Sequence, residues 1–157
     1  MTPTEQYIRA LVSMSAGDRS LLRTVAGKGL DECVEGFDLF TGLWWPLRNQ
    51  TQHVPRREVS WLVAKLVAAY TLPHQPGATL PKQLHACRPA QRPEQFDHRF
   101  DAILMLPLRD LEPHLRWALR VIASRGLSLD WVQLTDDLSV WEQRKTRLKW
   151  AHQFIAN

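Results

Sequence analysis

A chain of 157 residues suits one domain or two small helical lobes and is long enough to bury a sizeable core. Its hydrophobic fraction of 45% and charged fraction of 23% belong to a folded globular protein, which excludes disorder along its whole length. The net charge of +4 is modestly basic and directs attention to acidic partners.

Helical periodicity recurs from end to end, and strand alternation is nearly absent. Thr4 is placed to cap a first helix with Tyr7, Ile8, Leu11 and Val12 inward and Gly17 closing it. Asp18 is placed to cap a second, with Leu21, Leu22 and Val25 inward. Phe37, Phe40, Leu43 and Trp44 predict a third helix that ends at Pro46. Pro55 suits the first turn of a fourth, whose face is Val59, Leu62, Val63, Leu66, Val67 and Tyr70. Residues 73–93, rich in proline, have room for one short helix after Thr79 and read as a connection. Beyond it, Phe96, Phe100, Ile103 and Leu104 share a face that stops before Pro107. Asp110 is placed to cap a helix reaching Arg125, with Pro113 in its first turn and Gly126 at its end. Ser128 or Asp130 starts a helix on which Trp131, Leu134, Leu138 and Trp141 fall on one face. A last amphipathic helix carries Leu148, Ala151 and Ile155. The expectation is all-α: a two-lobed helical bundle of about eight helices, with lobes over residues 1–72 and 94–157 and a connection over 73–93.

No residue pattern points to catalysis. Cys33 and Cys87 stand alone and read as reduced thiols. His74, His85 and Cys87 lack the spacing of a helical or structural metal site, so neither metal nor cofactor is expected. Asp136 and Asp137 are adjacent, about 100° apart on a helix, and suit a solvated face better than an acid–base pair. Asp97, His98 and Asp101 have no nucleophile near them, and Gly27-Lys28-Gly29 lacks the glycine spacing of a phosphate loop. No apolar run reaches the roughly 18 residues of a membrane span, and the N-terminus has no signal pattern, so a cytoplasmic protein is expected.

The basic residues are more informative. Arginine outnumbers lysine three to one, and arginine is the better phosphate fork. Arg19 and Arg23 lie at i, i+4 with Lys28 just beyond them, and Arg116 and Arg120 repeat the spacing. Arg56 and Arg57 open a helix, where free N–H groups already favour an anion. Arg144, Lys145, Arg147 and Lys149 wrap the last helix. Dispersed pairs without a base-reading motif point to backbone binding of nucleic acid. Tryptophans 131 and 141 sit with leucines and read as core; so do Trp44, Trp45 and Trp61, while Trp117 and Trp150 stay open as stacking platforms.

The segment "GLSLDWVQLTDDLSVW" followed by "RLKWAHQF" resembles the C-terminal signature of the CasB family, the small subunit of the type I-E CRISPR Cascade complex. "HRFDAIL", "GDRSLLRTVAG" and "FDLF" resemble further family helices, while "GATLPKQL" departs from the family's central element at Pro81. The resemblance implies an all-helical protein without enzymatic activity. It implies two copies within a crRNA-guided complex, contacting other Cascade subunits and helping to hold crRNA, target DNA and the displaced strand. It adds Arg99 to the candidate contacts, beside Arg23, Arg56, Arg57, Arg116, Arg120 and the basic run 144–149. The rival expectation is a helical adaptor that works by protein contact alone.

Overall fold

A computed structural model of the protein describes residues 1–51 and 53–155. Among these residues it is all-α: α1 (Pro3–Val12), α2 (Ala16–Arg23), α3 (Phe37–Gln50), α4 (Arg57–Tyr70), α5 (Leu80–Ala86), α6 (Pro93–Met105), α7 (Glu112–Ser124), α8 (Trp131–Ser139) and α9 (Arg144–Ile155). Short 3₁₀ turns fall at Leu30–Glu32 and Leu108–Asp110. The chain divides into two compact units, Met1–Thr71 and Leu72–Asn157.

The N-terminal unit is built around α4, which α1, α2 and α3 all pack against. Every residue from Val59 to Ala68 is buried, so α4 is enclosed on all sides and not along one face only. Tyr7 Oη donates to the Ser60 carbonyl at 2.6 Å, pinning α1 to it. The helix starts differ from the sequence expectation. Thr2, not Thr4, caps α1 by accepting from the Glu5 N–H, and Ser15, not Asp18, caps α2 by accepting from the Asp18 N–H. Each true cap stands three residues before an acidic side chain, the spacing that favours a helix start. α4 begins at Arg57, with Pro55 two residues before it. α3 does not end at Pro46 but runs to Gln50. The proline ring would press on the carbonyl four residues back; that residue is Gly42, exposed like Pro46, so the freed carbonyl meets water.

In the C-terminal unit, α5 packs on α7 and α9, and α6 packs on α7 and α9. Residues 72–78 are bonded to the turn before α8. Leu129 N–H donates to Pro73 O (2.9 Å), Asp130 N–H to Ala78 O (2.8 Å) and Trp131 Nε1 to Leu72 O (2.8 Å). Asp130 caps α8 through Gln133 N–H and also accepts from Gly77 N–H at 2.8 Å. The Leu-Asp-Trp tripeptide is thus a clamp for the proline-rich segment. Pro81 stands in the first turn of α5, where its missing N–H costs nothing. At the end of α7, Gly126 takes φ +67°, and Leu127 N–H turns back to the Ile122 carbonyl.

Two expectations on the tryptophan helices change. α8 ends at Ser139, so Trp141 is past it, yet buried, with Nε1 donating to Leu106 O at 2.9 Å. On α9 the inward stripe is Thr146, Trp150 and Phe154. Leu148 and Ile155, expected inside, are 47% and 73% exposed.

Candidate nucleic-acid interface

In the N-terminal unit one stripe of α4 organises the basic residues. Arg57, Trp61, Lys65 and Ala68 follow i, i+4, i+8 and i+11, within a sector of about 80° and along about 16 Å of helix. Trp61 Nε1 and Lys65 Nζ both donate to the Lys28 carbonyl, at 2.8 and 2.7 Å. Arg23 Nε donates to the Ala68 carbonyl at 2.8 Å. Arg57, Lys28 and Arg23 therefore form a row from one end of α4 to the other, although 34 positions separate the first and last in sequence. Lys28 contributes its carbonyl to the fold and leaves its side chain exposed. Arg19 is half-buried, its guanidinium donating to Val12 O at 2.9 Å, so its first task is to join α1 to α2. Arg56 is the N-cap residue of α4, exposed beside Arg57. Lys65, which sequence reading passed over, is buried, with its ammonium 5.3 Å from the Trp61 ring.

In the C-terminal unit the Arg99 guanidinium from α6 lies over the Trp117 ring at 4.4 Å. Stacking covers one guanidinium face and leaves the N–H edges available to a phosphate. Arg120, one turn on from Trp117, is exposed, whereas Arg116 is half-buried. On α9, Arg144 and Lys145 are exposed. Arg147 faces partly inward, with its Nε buried. Lys149 is committed to the fold, its Nζ 2.6 Å from Asp137 Oδ1. Trp117 and Trp150 are buried, which removes both as open stacking platforms; Trp45, expected in the core, is 51% exposed.

Two carboxylates that the sequence singles out serve the fold. Asp137 is buried, not solvated: it accepts from Gln133 Nε2 (2.9 Å), Lys149 Nζ (2.6 Å) and Trp150 Nε1 (2.8 Å). Asp97 makes a two-bond fork with Arg88, at 2.9 and 2.7 Å, and that guanidinium holds its carboxyl below the ordinary value. Burial raises the Tyr7 hydroxyl and the Cys87 thiol above theirs, which disfavours a reactive thiolate at Cys87. Among the described residues no three His, Cys, Asp or Glu side chains gather as metal ligands. No helix among them is long and apolar enough to cross a membrane.

The fold places the chain among small all-helical proteins. The sequence matches the family described as CRISPR-associated protein Cse2 over residues 18–154, and the chain belongs to that family. No curated protein matches it in sequence. Among solved structures it is similar to CasB from Thermus thermophilus, with 23% identity, all of both chains covered and a TM-score of 0.78. It is also similar to CasB from Thermobifida fusca, with 17% identity, 96% of this chain and 94% of that one covered, and a TM-score of 0.75. A chain of a structure described as a CRISPR RNA-guided surveillance complex matches with 17% identity, 97% and 88% coverage and a TM-score of 0.69.

Proposed function

We propose that the chain is a non-catalytic, cytoplasmic subunit of a crRNA-guided surveillance complex in antiviral defence. In this reading two copies lie beside the other subunits and bind the backbone of crRNA, target DNA and the displaced DNA strand. One observation carries it. Lys28, Arg57, Arg120, Arg144 and Lys145 are exposed, and their side chains make no bond among the described residues. Arg57 stands in the exposed first turn of α4, ahead of its enclosed stretch, and α7 and α9 bury faces other than those of Arg120, Arg144 and Lys145, so the fold does not need these charges. Family membership and the surveillance-complex relative support the setting. Cations of this kind neutralise phosphates without reading bases, which leaves sequence to guide pairing.

The test is binding of matched DNA by complexes rebuilt with charge reversals at exposed positions, Lys28→Glu with Arg57→Glu, Arg120→Glu, and Arg144→Glu with Lys145→Glu. Retention of target DNA should fall with each added reversal, and the differences should shrink as salt rises, while guide RNA loading changes little. Parent-like retention by the Arg120 and the Arg144 with Lys145 variants at low salt refutes the backbone-binding role of the C-terminal unit. The adaptor reading is favoured by a different observation, the exposed Leu148 and Ile155 on α9. Under it, apolar-to-charged changes there would block assembly while the arginine reversals did nothing.

A further inference from the structure

α3 and the start of α4 enclose a hollow of about 320 Å³, lined by Phe37, Phe40, Thr41, Trp44, Trp45 and Arg57. Its inner wall is fixed. Trp44 is buried and donates Nε1 to the Pro55 carbonyl at 2.9 Å. Phe40 stacks on Trp44 at 5.9 Å and meets Trp61 edge-on at 5.5 Å. The outer wall is open to solvent: Trp45 is 51% exposed and Phe37 is 41% exposed. Trp45 stands 6.0 Å from Trp44 with the rings tilted at 52°, so the two rings do not stack on each other. Arg57 closes one side and is also the first cation of the row along α4.

We propose that this hollow receives one unstacked base of a single DNA strand, with the neighbouring phosphate on Arg57. The proposal rests on the reading of the α4 row as a backbone-binding surface and adds to it a base-stacking site. Charge decides the occupant. A purely apolar protein side chain would gain nothing from a guanidinium in the lining, whereas a nucleotide presents a flat ring and an anion together. The nearby carboxylates, Asp38 and Glu58, are exposed and do not belong to the lining. The volume lies at the lower end of the roughly 300–1,000 Å³ of small-molecule sites, enough for a nucleobase. The Thr41 hydroxyl and the Trp45 indole N–H are the neutral polar groups of the lining, too few to read a base edge, so the site discriminates little between bases, each of which offers a π-face.

The experiment measures binding of the full chain to a short single-stranded oligothymidylate and to the same strand made abasic, by fluorescence anisotropy across a salt series. The parent should bind the base-bearing strand about tenfold more tightly than the abasic one. Trp45→Ala and Phe37→Ala should each remove most of that difference, leave abasic binding and the salt slope unchanged, and keep the parent melting temperature. Trp45→Phe should restore stacking. Arg57→Gln should weaken both strands and flatten the salt slope. Unchanged binding by both aromatic variants, or an equal loss on the abasic strand, overturns the proposal, including where those variants disturb protein assembly instead. If the parent distinguishes the two strands by nothing yet binds both at low salt, the stacking site fails and the backbone reading stands. Absence of binding to either strand at low salt removes both.

Discussion

A carboxylate inside a helical unit is costly unless its oxygens are engaged, and Asp137 meets that condition with three donors from two helices. The donors are unequal. Trp150 Nε1 is itself buried and has nowhere else to bond, whereas the Lys149 ammonium reaches water, its side chain 43% exposed. Asp137→Ala should therefore destabilise the protein by about 1–3 kcal/mol, the cost of an unsatisfied buried N–H. Lys149→Ala should cost less, because the buried carboxylate keeps its bonds from Gln133 and Trp150 while only a half-exposed ammonium is lost. Urea unfolding distinguishes them; a larger loss from Lys149→Ala would mean that the ion pair, not the indole bond, holds α8 to α9. This carboxylate was illegible in the sequence because Asp136 and Asp137 are chemically identical neighbours. Only the approach of Trp150 from α9 decides which one turns inward. Among the basic residues, too, spacing found the candidates but not their commitments. It could not see that Arg23 bonds the Ala68 carbonyl or that Arg99 lies on Trp117.

Elements with one apolar periodicity were legible, and those whose periodicity is shared by two faces were not. α6 lies where its apolar spacing puts it, because Phe96, Phe100 and Ile103 have no competing stripe. On α4 the face of Val59, Leu62, Val63 and Leu66 marked the helix but not the burial of Trp61 and Lys65 opposite. α9 offers two: Leu148, Ala151 and Ile155, or Thr146, Trp150 and Phe154. Area decides for the second, since two large aromatics bury more apolar surface than the aliphatic set. Phe154 stacks on Phe100 at 4.1 Å and meets His85 edge-on at 5.5 Å, which ties α9 to both α6 and α5. Leu148→Glu should then shift stability by no more than about 0.5 kcal/mol, while Trp150→Ala should cost about 3–5 kcal/mol. Thermal melts of the two variants check this. A large loss from Leu148→Glu in the isolated protein would place Leu148 in an apolar contact within this fold or between copies of it.

At the scale of the whole molecule, charge is the property that both units share. Each has its own core, and each leaves cations exposed that its core does not require: Lys28 and Arg57 in one, Arg120, Arg144 and Lys145 in the other. Composition made the basic balance visible, but the row along α4 depends on Lys28 and Arg57 meeting the same stripe, which the bonds from Trp61 and Lys65 to the Lys28 carbonyl achieve. Without a base-reading arrangement, the isolated protein should bind single and double strands weakly, with Kd on the order of 10⁻⁴–10⁻⁶ M. The salt dependence then counts the phosphates engaged, at about 0.7 in the log–log slope for each one on a single strand. Lys28→Gln with Arg57→Gln should lower that slope by about 1.4 if both cations meet phosphates, and Arg144→Gln with Lys145→Gln by a similar amount. Because the pairs stand in separate compact units, their effects on stability should be independent and small, so a flatter slope with an unchanged melting temperature isolates the electrostatic contribution. Titration of each variant with a labelled single strand at four or more salt concentrations gives the slopes directly. A slope that survives removal of both pairs assigns binding to other residues, and tight, salt-independent binding to one sequence would replace backbone neutralisation with base readout.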